Sequence, residues 1–276
     1  MGGAAVRVAT VITRLEGGAG QHALRGALIM DPAAYEMTII TGSGDPLLLG
    51  RAAAGGLEVL IEPALRAPIG PGSDLRALVR LRKLLGHRAF DVVHTHTAKA
   101  GVVGRLAAHG AGVPRLVHTY HGFPFHEFQA APRRWVYARI ERWLGQITDL
   151  ALCVGTGVAV EAVRRQLISP ERIRTIGVVV DGPAPCPDAR ARARAALGLP
   201  AGATVVGTVG RLTYQKAPED FLAALQALDR PGVIGVWVGD GELAGQIAAQ
   251  AREIPWIRVL LTGQRVNIPE LLAAFD

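Results

Sequence analysis

Short, nearly unbroken runs of β-branched and aliphatic residues alternate along this chain with longer amphipathic stretches. That rhythm restricts the possible folds more than any other feature. The runs are VRVATVIT (6–13), YEMTIIT (35–41), LEVLIE (57–62), DVVHTHT (91–97), RLVHTYH (115–121), DLALCVG (149–155) and RIRTIGVVV (172–180). A sheet with one wet face alternates apolar and polar residues, whereas continuous apolar runs suit parallel strands covered on both faces. Helical patterns over 20–30, 73–87, 98–110, 132–147 and 157–167 lie between the runs. Ser73 followed by Asp74 predicts a helix N-cap, and Gly86 predicts a stop. The βαβα order predicts a doubly wound α/β sheet.

The rhythm breaks at DGPAPCPDARARARAALGLPAG, where prolines and small residues predict an inter-domain connection over 181–202. It then resumes with strands at 204–212, 232–239 and 257–263 and helices at 218–228, 242–253 and 268–275. The expected organisation is a domain over 1–180 and a partial one over 203–276. Three strands make a thin doubly wound sheet, so the natural chain is expected to continue past Asp276. The length of 276 residues and a hydrophobic share of 50% suffice for two cores and argue against disorder.

The net charge of +7 admits nucleic acid, an anionic membrane or phosphorylated ligands as partners. The densest basic run, RARARAA, has no interleaved aromatics and reads as a solvated Ala-rich helix. The charges are otherwise scattered, which disfavours nucleic acid. Cys153 and Cys186 have no metal or redox spacing, in keeping with a reduced cytoplasmic compartment. Residues 1–5 are too short for a signal peptide, and no run of about 18 apolar residues is present. Arg133, Arg134, Arg139 and Arg142 with Trp135 and Trp143 offer either a basic amphipathic face for a membrane surface or ordinary helix packing.

Several segments carry candidate chemistry. VGRLTYQK (209–216) sets Arg211 and Lys216 just past a buried strand, where a planar fork and a mobile point charge suit phosphate oxygens. LEGGAGQH (15–22) has the same layout in the front half. Its Gly17, Gly18 and Gly20 free the backbone to approach an anion at a helix N-terminus, or serve a turn that needs positive φ. A ligand held between two domains is expected from this pair of turns. In DVVHTHTAKAG, His94 and His96 share a face of the strand, and Lys99 and Gly101 open the next helix. No nearby Cys, Asp or Glu completes a zinc set, so these histidines read as polar groups at a ligand-binding strand edge. His121, before Gly122, can hydrogen-bond a sugar hydroxyl or steady developing charge, or be a buried, satisfied histidine. Phe123, Pro124 and Phe125 form a wall of the cleft or a loop packed on the core. VGDGEL (238–243) puts Gly239, Asp240 and Gly241 at another strand end, lining a base or ribose pocket or an ordinary loop.

GGAGQH, VHTHTAKAGVVGRLAA, VHTYHG, VGRLTYQK and VGDGEL, in that order and at compatible spacing, resemble the retaining nucleotide-sugar glycosyltransferases of family 4. The resemblance covers nearly the whole chain. It implies the GT-B fold, two Rossmann-like doubly wound domains facing across a cleft, the second incomplete here. It implies a nucleotide-diphosphate sugar donor, a glycan, lipid-linked or small-molecule acceptor, and transfer with retention. It calls for no cofactor and no metal. Gly17 and Gly18 match the front glycine loop near the diphosphate, His121 the histidine beside the transferred sugar, and Arg211 and Lys216 the basic pair that clamps the diphosphate. His96, Lys99, Gly239, Asp240 and Gly241 join the expected substrate-binding set.

The chain departs from that pattern in three places. Ala217 stands where the family has glycine. Val178 and Val179 stand where a polar residue and a glycine precede the linker. The acidic E-x7-E motif is absent, so the chain is expected to be an inactive fragment. The alternatives are a nucleotide-sugar epimerase of the same fold and a non-catalytic nucleotide-sugar-binding module.

Overall fold

The computed structural model describes residues 4–123, 125, 130–178, 186–228, 230, 232–254, 256–265 and 267–276. The chain divides into two compact units, Met1–Val179 and Val180–Asp276.

The first unit alternates strands and helices: β1 (Val6–Leu15), α1 (Gly17–Leu28), β2 (Tyr35–Gly44), α2 (Pro46–Ala54), β3 (Glu58–Ile61), α3 (Pro71–Arg88), β4 (Val92–His96), α4 (Ala98–Gly110), β5 (Arg115–Tyr120), α5 (Ala131–Gln146), β6 (Leu150–Cys153), α6 (Thr156–Arg164) and β7 (Ile173–Thr175). The strands pair in parallel in the order β3-β2-β1-β4-β5-β6-β7. Both faces are covered, which is why the strand sequences are continuously apolar. Val11 packs with Ala77, Leu81 and Leu85 of α3 and Val103 of α4, while its neighbour Ile12 packs with Leu24 of α1 and Leu48 of α2. Alternate side chains of β1 thus serve two cores.

Three local expectations are corrected. The N-cap of α3 is Gly70 with Pro71 at the first helical position, so Ser73 and Asp74 lie inside the first turn. They still serve the helix start, because the Ser73 hydroxyl donates to Gly70 O at 2.9 Å and Gly70 N–H donates to Asp74 Oδ2 at 3.2 Å. Gly86 does not stop the helix, which continues to Arg88 and ends at Ala89 in the left-handed region, φ 49°. Helix α2 was not expected, although Asp45 caps it by accepting from Leu47 N–H at 2.8 Å and Pro46 opens it.

The second unit contains α7 (Ala189–Ala196), β8 (Thr204–Val209), α8 (Pro218–Leu228), β9 (Val233–Val238), α9 (Ala244–Arg252), β10 (Arg258–Leu261) and α10 (Ile268–Leu271). Its strands are parallel in the order β10-β9-β8. Val236 and Val238 pack with Ala193 and Leu197 on one face, and Trp237 packs with Leu222, Leu225 and Ile247 on the other. Of the connection expected over 181–202, residues 181–185 lie outside the described residues. The Arg–Ala run is a helix, as expected, and most of it is exposed, but its Ala193 and Arg194 are buried. Arg194 is 3% exposed, pairs with Asp276 at 2.8 Å, and donates to the carbonyls of Ala201 and Ala274. A guanidinium with that many fixed acceptors can be buried.

Candidate functional site

In the first unit the strand order reverses between β1 and β4, and ligands of such sheets bind at the carboxyl ends of the strands beside that reversal. Gly17 follows β1, His96 ends β4, and His121 lies one residue past β5. The β4–β5 register pairs His94 with Val117 and His96 with Thr119. This register, with the alternation of side chains, collects His94, His96, Thr119 and His121 on one face. Helix α1 adds His22.

The four imidazoles form a contiguous cluster. Ring centroids are 4.2 Å apart for His94–His96, 5.3 Å for His96–His121, 5.4 Å for His22–His121 and 6.4 Å for His22–His96. His96 Nδ1 and His121 Nε2 are hydrogen-bonded at 3.0 Å, and His94 Nε2 is bonded to Thr119 Oγ1 at 2.7 Å. His96 is 1% exposed, and its Nε2 has no partner among the described residues. Burial, reinforced by the charges of neighbouring imidazoles, lowers His94 to about 3 and holds His96 well below the usual imidazole range. His121 is lowered to about 4 by burial and then by His22, and His22 is itself lowered by burial and by Arg25. His121 is therefore neutral at pH 7.

His118 belongs to the opposite face. Its Nδ1 is bonded to Thr95 Oγ1 at 2.8 Å, and its ring meets Tyr120 edge-on at 4.5 Å. A Cβ on Gly101 would lie 2.6 Å from that ring, so glycine there lets α4 settle on β5. Beneath it Arg105, fully buried, pairs with Glu141 at 2.7 Å, and Tyr120 OH donates to the same Glu141 oxygen at 3.1 Å.

The glycine turn has a mixed character. Gly17 has φ 58°, which favours glycine, and a Cβ on Gly20 would lie 2.7 Å from Leu15 C. A Cβ on Gly18 would meet nothing within 4 Å, so packing does not demand glycine there. Lys99 was expected to bind substrate, but its ammonium is paired with Asp74 and donates to Pro68 O within the first unit. The residue before α4, Thr97, has φ 67° and ψ 158°, a region almost reserved for glycine. Its hydroxyl is held by Thr13 Oγ1 at 3.0 Å, and Thr13 Oγ1 also accepts from Ala100 N–H at 3.1 Å. Phe123 and Phe125 stack at 4.9 Å, and Phe125 is buried with Ala138, Ala162 and Leu167, which makes this stretch a loop packed on the core. Pro124 lies outside the described residues, as does Val179.

In the second unit Arg211 and Lys216 follow β8, and both are exposed. Among the described residues neither has a carboxylate or carbonyl partner. Glycines shape the turn that holds Arg211. A Cβ on Gly239 would lie 2.1 Å from Gly210 O, and one on Gly241 would lie 2.3 Å from Leu212 O. The close approach is fastened by Gly210 N–H to Val238 O at 3.0 Å, Leu212 N–H to Asp240 O at 3.0 Å, and Trp237 Nε1–H to Gly210 O at 2.7 Å. Gly239 and Gly241 therefore support the Arg211 loop, and Asp240 accepts from Gly241 N–H at 2.8 Å. Thr213, between the two cations, carries a buried hydroxyl without a partner among the described residues. Ala217 has φ 45° and ψ 59°, the conformation for which glycine is the usual choice.

The sequence pattern missed His22 and the buried Arg105–Glu141 pair. His22 closes the LEGGAGQH segment, and a histidine on the helix opened by that turn was the available signal. For the pair there was none, since Arg105 and Glu141 lie on different helices.

The family model described as Glycosyltransferase Family 4 matches residues 16–182. The chain is 33% identical over 222 residues to UDP-Gal:alpha-D-GlcNAc-diphosphoundecaprenol alpha-1,3-galactosyltransferase of Escherichia coli, a match covering 78% of this chain and 57% of that protein. It is 38% identical over 151 residues to D-inositol 3-phosphate glycosyltransferase of Saccharomonospora viridis, covering 52% of this chain and 35% of that one. The chain thus spans little more than half the length of the first relative and about a third of the second. Among solved structures, Anabaena Alr3699/HepE in complex with UDP and glucose is similar with a TM-score of 0.80 at 21% identity, covering 98% of this chain and 72% of that one. WaaG, a glycosyltransferase involved in lipopolysaccharide biosynthesis, has a TM-score of 0.70 at 17% identity, covering 98% and 73%. At these identities the structural likeness speaks for the fold.

Proposed function

This chain belongs to glycosyltransferase family 4, and from that premise we propose that the protein transfers a sugar from a UDP-sugar donor to a glycan acceptor, with retention of configuration at the anomeric carbon. The observation that carries the reading is the pair Arg211 and Lys216, two exposed cations without partners among the described residues, beside a loop that two glycines hold in place. The UDP and glucose in the complex of Alr3699/HepE favour this donor class, as does the donor in the name of the E. coli relative.

In the proposed reaction the bond from the anomeric carbon to phosphate loosens first, and negative charge grows on the diphosphate. Arg211 and Lys216 bind that growing charge more tightly than the ground state, which lowers the barrier. His121, neutral, donates a hydrogen bond to the donor sugar. The acceptor oxygen enters on the face that the phosphate leaves, and the departing phosphate oxygen takes its proton.

A lipid-linked acceptor is favoured by the diphosphoundecaprenol in that relative's name and by helix α5. Trp135, Val136, Ile140 and Trp143 are exposed on α5 beside Arg139, whose guanidinium lies 5.1 Å from the Trp135 ring centre. Ala138, Glu141, Leu144 and Gly145 form its buried face. A face of indoles and arginines suits the headgroup region of an anionic bilayer, and it would hold the protein at the cytoplasmic surface. No helix among the described residues is long and apolar enough to cross a membrane.

The test has two parts. A thermal-shift panel of UDP-, GDP- and ADP-sugars should give its largest stabilisation with UDP-sugars, and Arg211→Ala should reduce it. The intact enzyme should leave the donor sugar unchanged when no acceptor is present. Epimerised sugar from donor alone would overturn the transferase reading. For the membrane face, vesicles containing phosphatidylglycerol should retain the protein and neutral vesicles should not, with Trp135→Ala/Trp143→Ala releasing it.

A further inference from the structure

His96 is buried at the end of β4, and one of its ring nitrogens has no partner among the described residues. The other, Nδ1, is bonded to His121 Nε2 at 3.0 Å. A hydrogen bond between two neutral imidazoles contains one proton, so it has two possible forms. In the first, His96 Nδ1–H donates to His121 Nε2. The buried Nε2 of His96 is then a bare lone pair, and His121 carries its own proton on Nδ1. In the second, His121 Nε2–H donates to His96 Nδ1. His96 must then carry its proton on the buried Nε2, with nothing to receive it.

The two forms differ in what they leave unsatisfied. A buried N–H without an acceptor is rarer and costlier than an under-used lone pair. No ring face rescues the second form. His94 is tilted only 40° from His96 instead of standing edge-on, and His22 is 6.4 Å away. We propose that His96 is a positioning residue that locks His121 in the Nδ1–H tautomer, so that His121 presents an N–H donor, and not a lone pair, to its ligand.

The proposal rests on the family 4 reading for the ligand, a sugar oxygen, but the tautomer itself stands on the geometry of the first unit alone. Among the described residues Nδ1 of His121 has no protein partner, so its proton is available. The depressed basicity of all four rings keeps both members of the pair neutral, as a single-proton bond requires. A fixed tautomer also selects substrate chemistry. A donor at this point favours an oxygen that accepts, such as a hydroxyl lone pair or a carboxylate of the sugar, and rejects an ammonium group in the same place.

The tautomer can be read directly. The chain is labelled with 15N-histidine, and two-bond 15N–1H spectra are recorded at pH 7.5. Protonated and bare ring nitrogens have well separated shifts. The expected result is Nδ1 protonated and Nε2 bare for both His96 and His121. A protonated Nε2 on His121 overturns the proposal, whatever the protein's activity. In His96→Leu, His121 loses its donor and should relax toward the Nε2–H form that free imidazole side chains prefer. In His96→Asn the amide N–H stands near the old Nδ1–H, and the Nδ1–H tautomer of His121 should persist. With the intact enzyme and a UDP-sugar, kcat should fall about 10- to 100-fold in His96→Leu, the scale of one misdirected hydrogen bond, with KM little changed. His96→Asn should recover most of that loss. Equal losses in both variants, with the tautomer unchanged in each, would reduce His96 to a packing residue. If the tautomer is as expected but no UDP-sugar binds, the function is refuted and the positioning of His121 stands.

Discussion

Replacing Glu141 by alanine should destabilise the first unit by about 3–5 kcal/mol, the usual cost of stranding a buried charge. The ion pair it breaks is fully enclosed, with side-chain exposures of 0% for Arg105 and 3% for Glu141 and a contact of 2.7 Å. At an effective dielectric near 20, two charges this close attract by roughly 6 kcal/mol, and desolvation of both offsets much of that. In Glu141→Ala the desolvation of Arg105 is still incurred while the attraction is gone. Its remaining partners, Gly101 O at 2.7 Å and Thr148 Oγ1 at 3.4 Å, are neutral and cannot supply a counter-charge. Tyr120 OH loses its acceptor as well. In a thermal melt this should appear as a midpoint roughly 6–20 °C lower, taking about 2–4 °C per kcal/mol for a unit of this size. The double variant Arg105→Met/Glu141→Leu should regain most of the loss, because removing both charges removes the stranded one. A loss under about 1 kcal/mol for the single variant, or a double variant no better than the single, would refute this account. The pair matters for function because it joins α4, α5 and β5, the elements behind His121.

Arg211→Ala in the intact enzyme should lower kcat by about 10²–10³, the scale for one preorganised charge stabiliser, and turnover within tenfold of the parent would remove Arg211 from the proposed clamp. Ala217→Gly should stabilise the second unit by about 1 kcal/mol, since φ 45° strains alanine and not glycine; a lower urea midpoint would contradict that. Acid should destabilise the first unit early. His94 and His121 have folded values of about 3 and about 4 against 6.5 when unfolded, so the unfolded chain binds more protons below pH 6.5. Stability is then complete above about pH 6.5 and declines as pH falls toward 4, by up to about 1.4 kcal/mol per pH unit for each histidine. Urea midpoints that stay flat from pH 7 to 5 would mean these rings are not held neutral.

The layer order of both units was legible because burial on both faces imprints itself on the strands. Val11 and Ile12 must both be apolar when each faces a different set of helices, and such runs are visible without knowledge of any partner. Helix boundaries were less legible. Ser73 is a good capping residue by type, yet Pro71 starts the helix two residues earlier with a proline at its N-terminus. Gly86 looks like a stop, but nothing crowds it except Ala111 at 3.8 Å, and the helix runs through. Arg194 looked solvated because its partner, Asp276, is far away in sequence, and local charge patterning carries no record of such a pair.

The candidate site divides along the same line. That His94 and His96 share a face follows from strand alternation, and that His121 stands at a strand end follows from Gly122. What no pattern could give is the register His96–Thr119 between β4 and β5, because it depends on how the crossover through α4 packs. Once that register exists, His121 falls within bonding distance of His96, and α1 delivers His22 to the same cluster. In the second unit the reverse holds. Arg211 and Lys216 are conspicuous in the sequence, while Gly239 and Gly241, which the sequence left as pocket lining or ordinary loop, are also points where one turn presses against another. A methyl group at either would push Gly210 or Leu212 outward and carry Arg211 with it. Under the proposed clamp those two glycines would therefore bear on phosphate binding without any need to touch the ligand, and the shape of the Arg211 loop depends on backbone proximity as much as on the side chains that first draw attention.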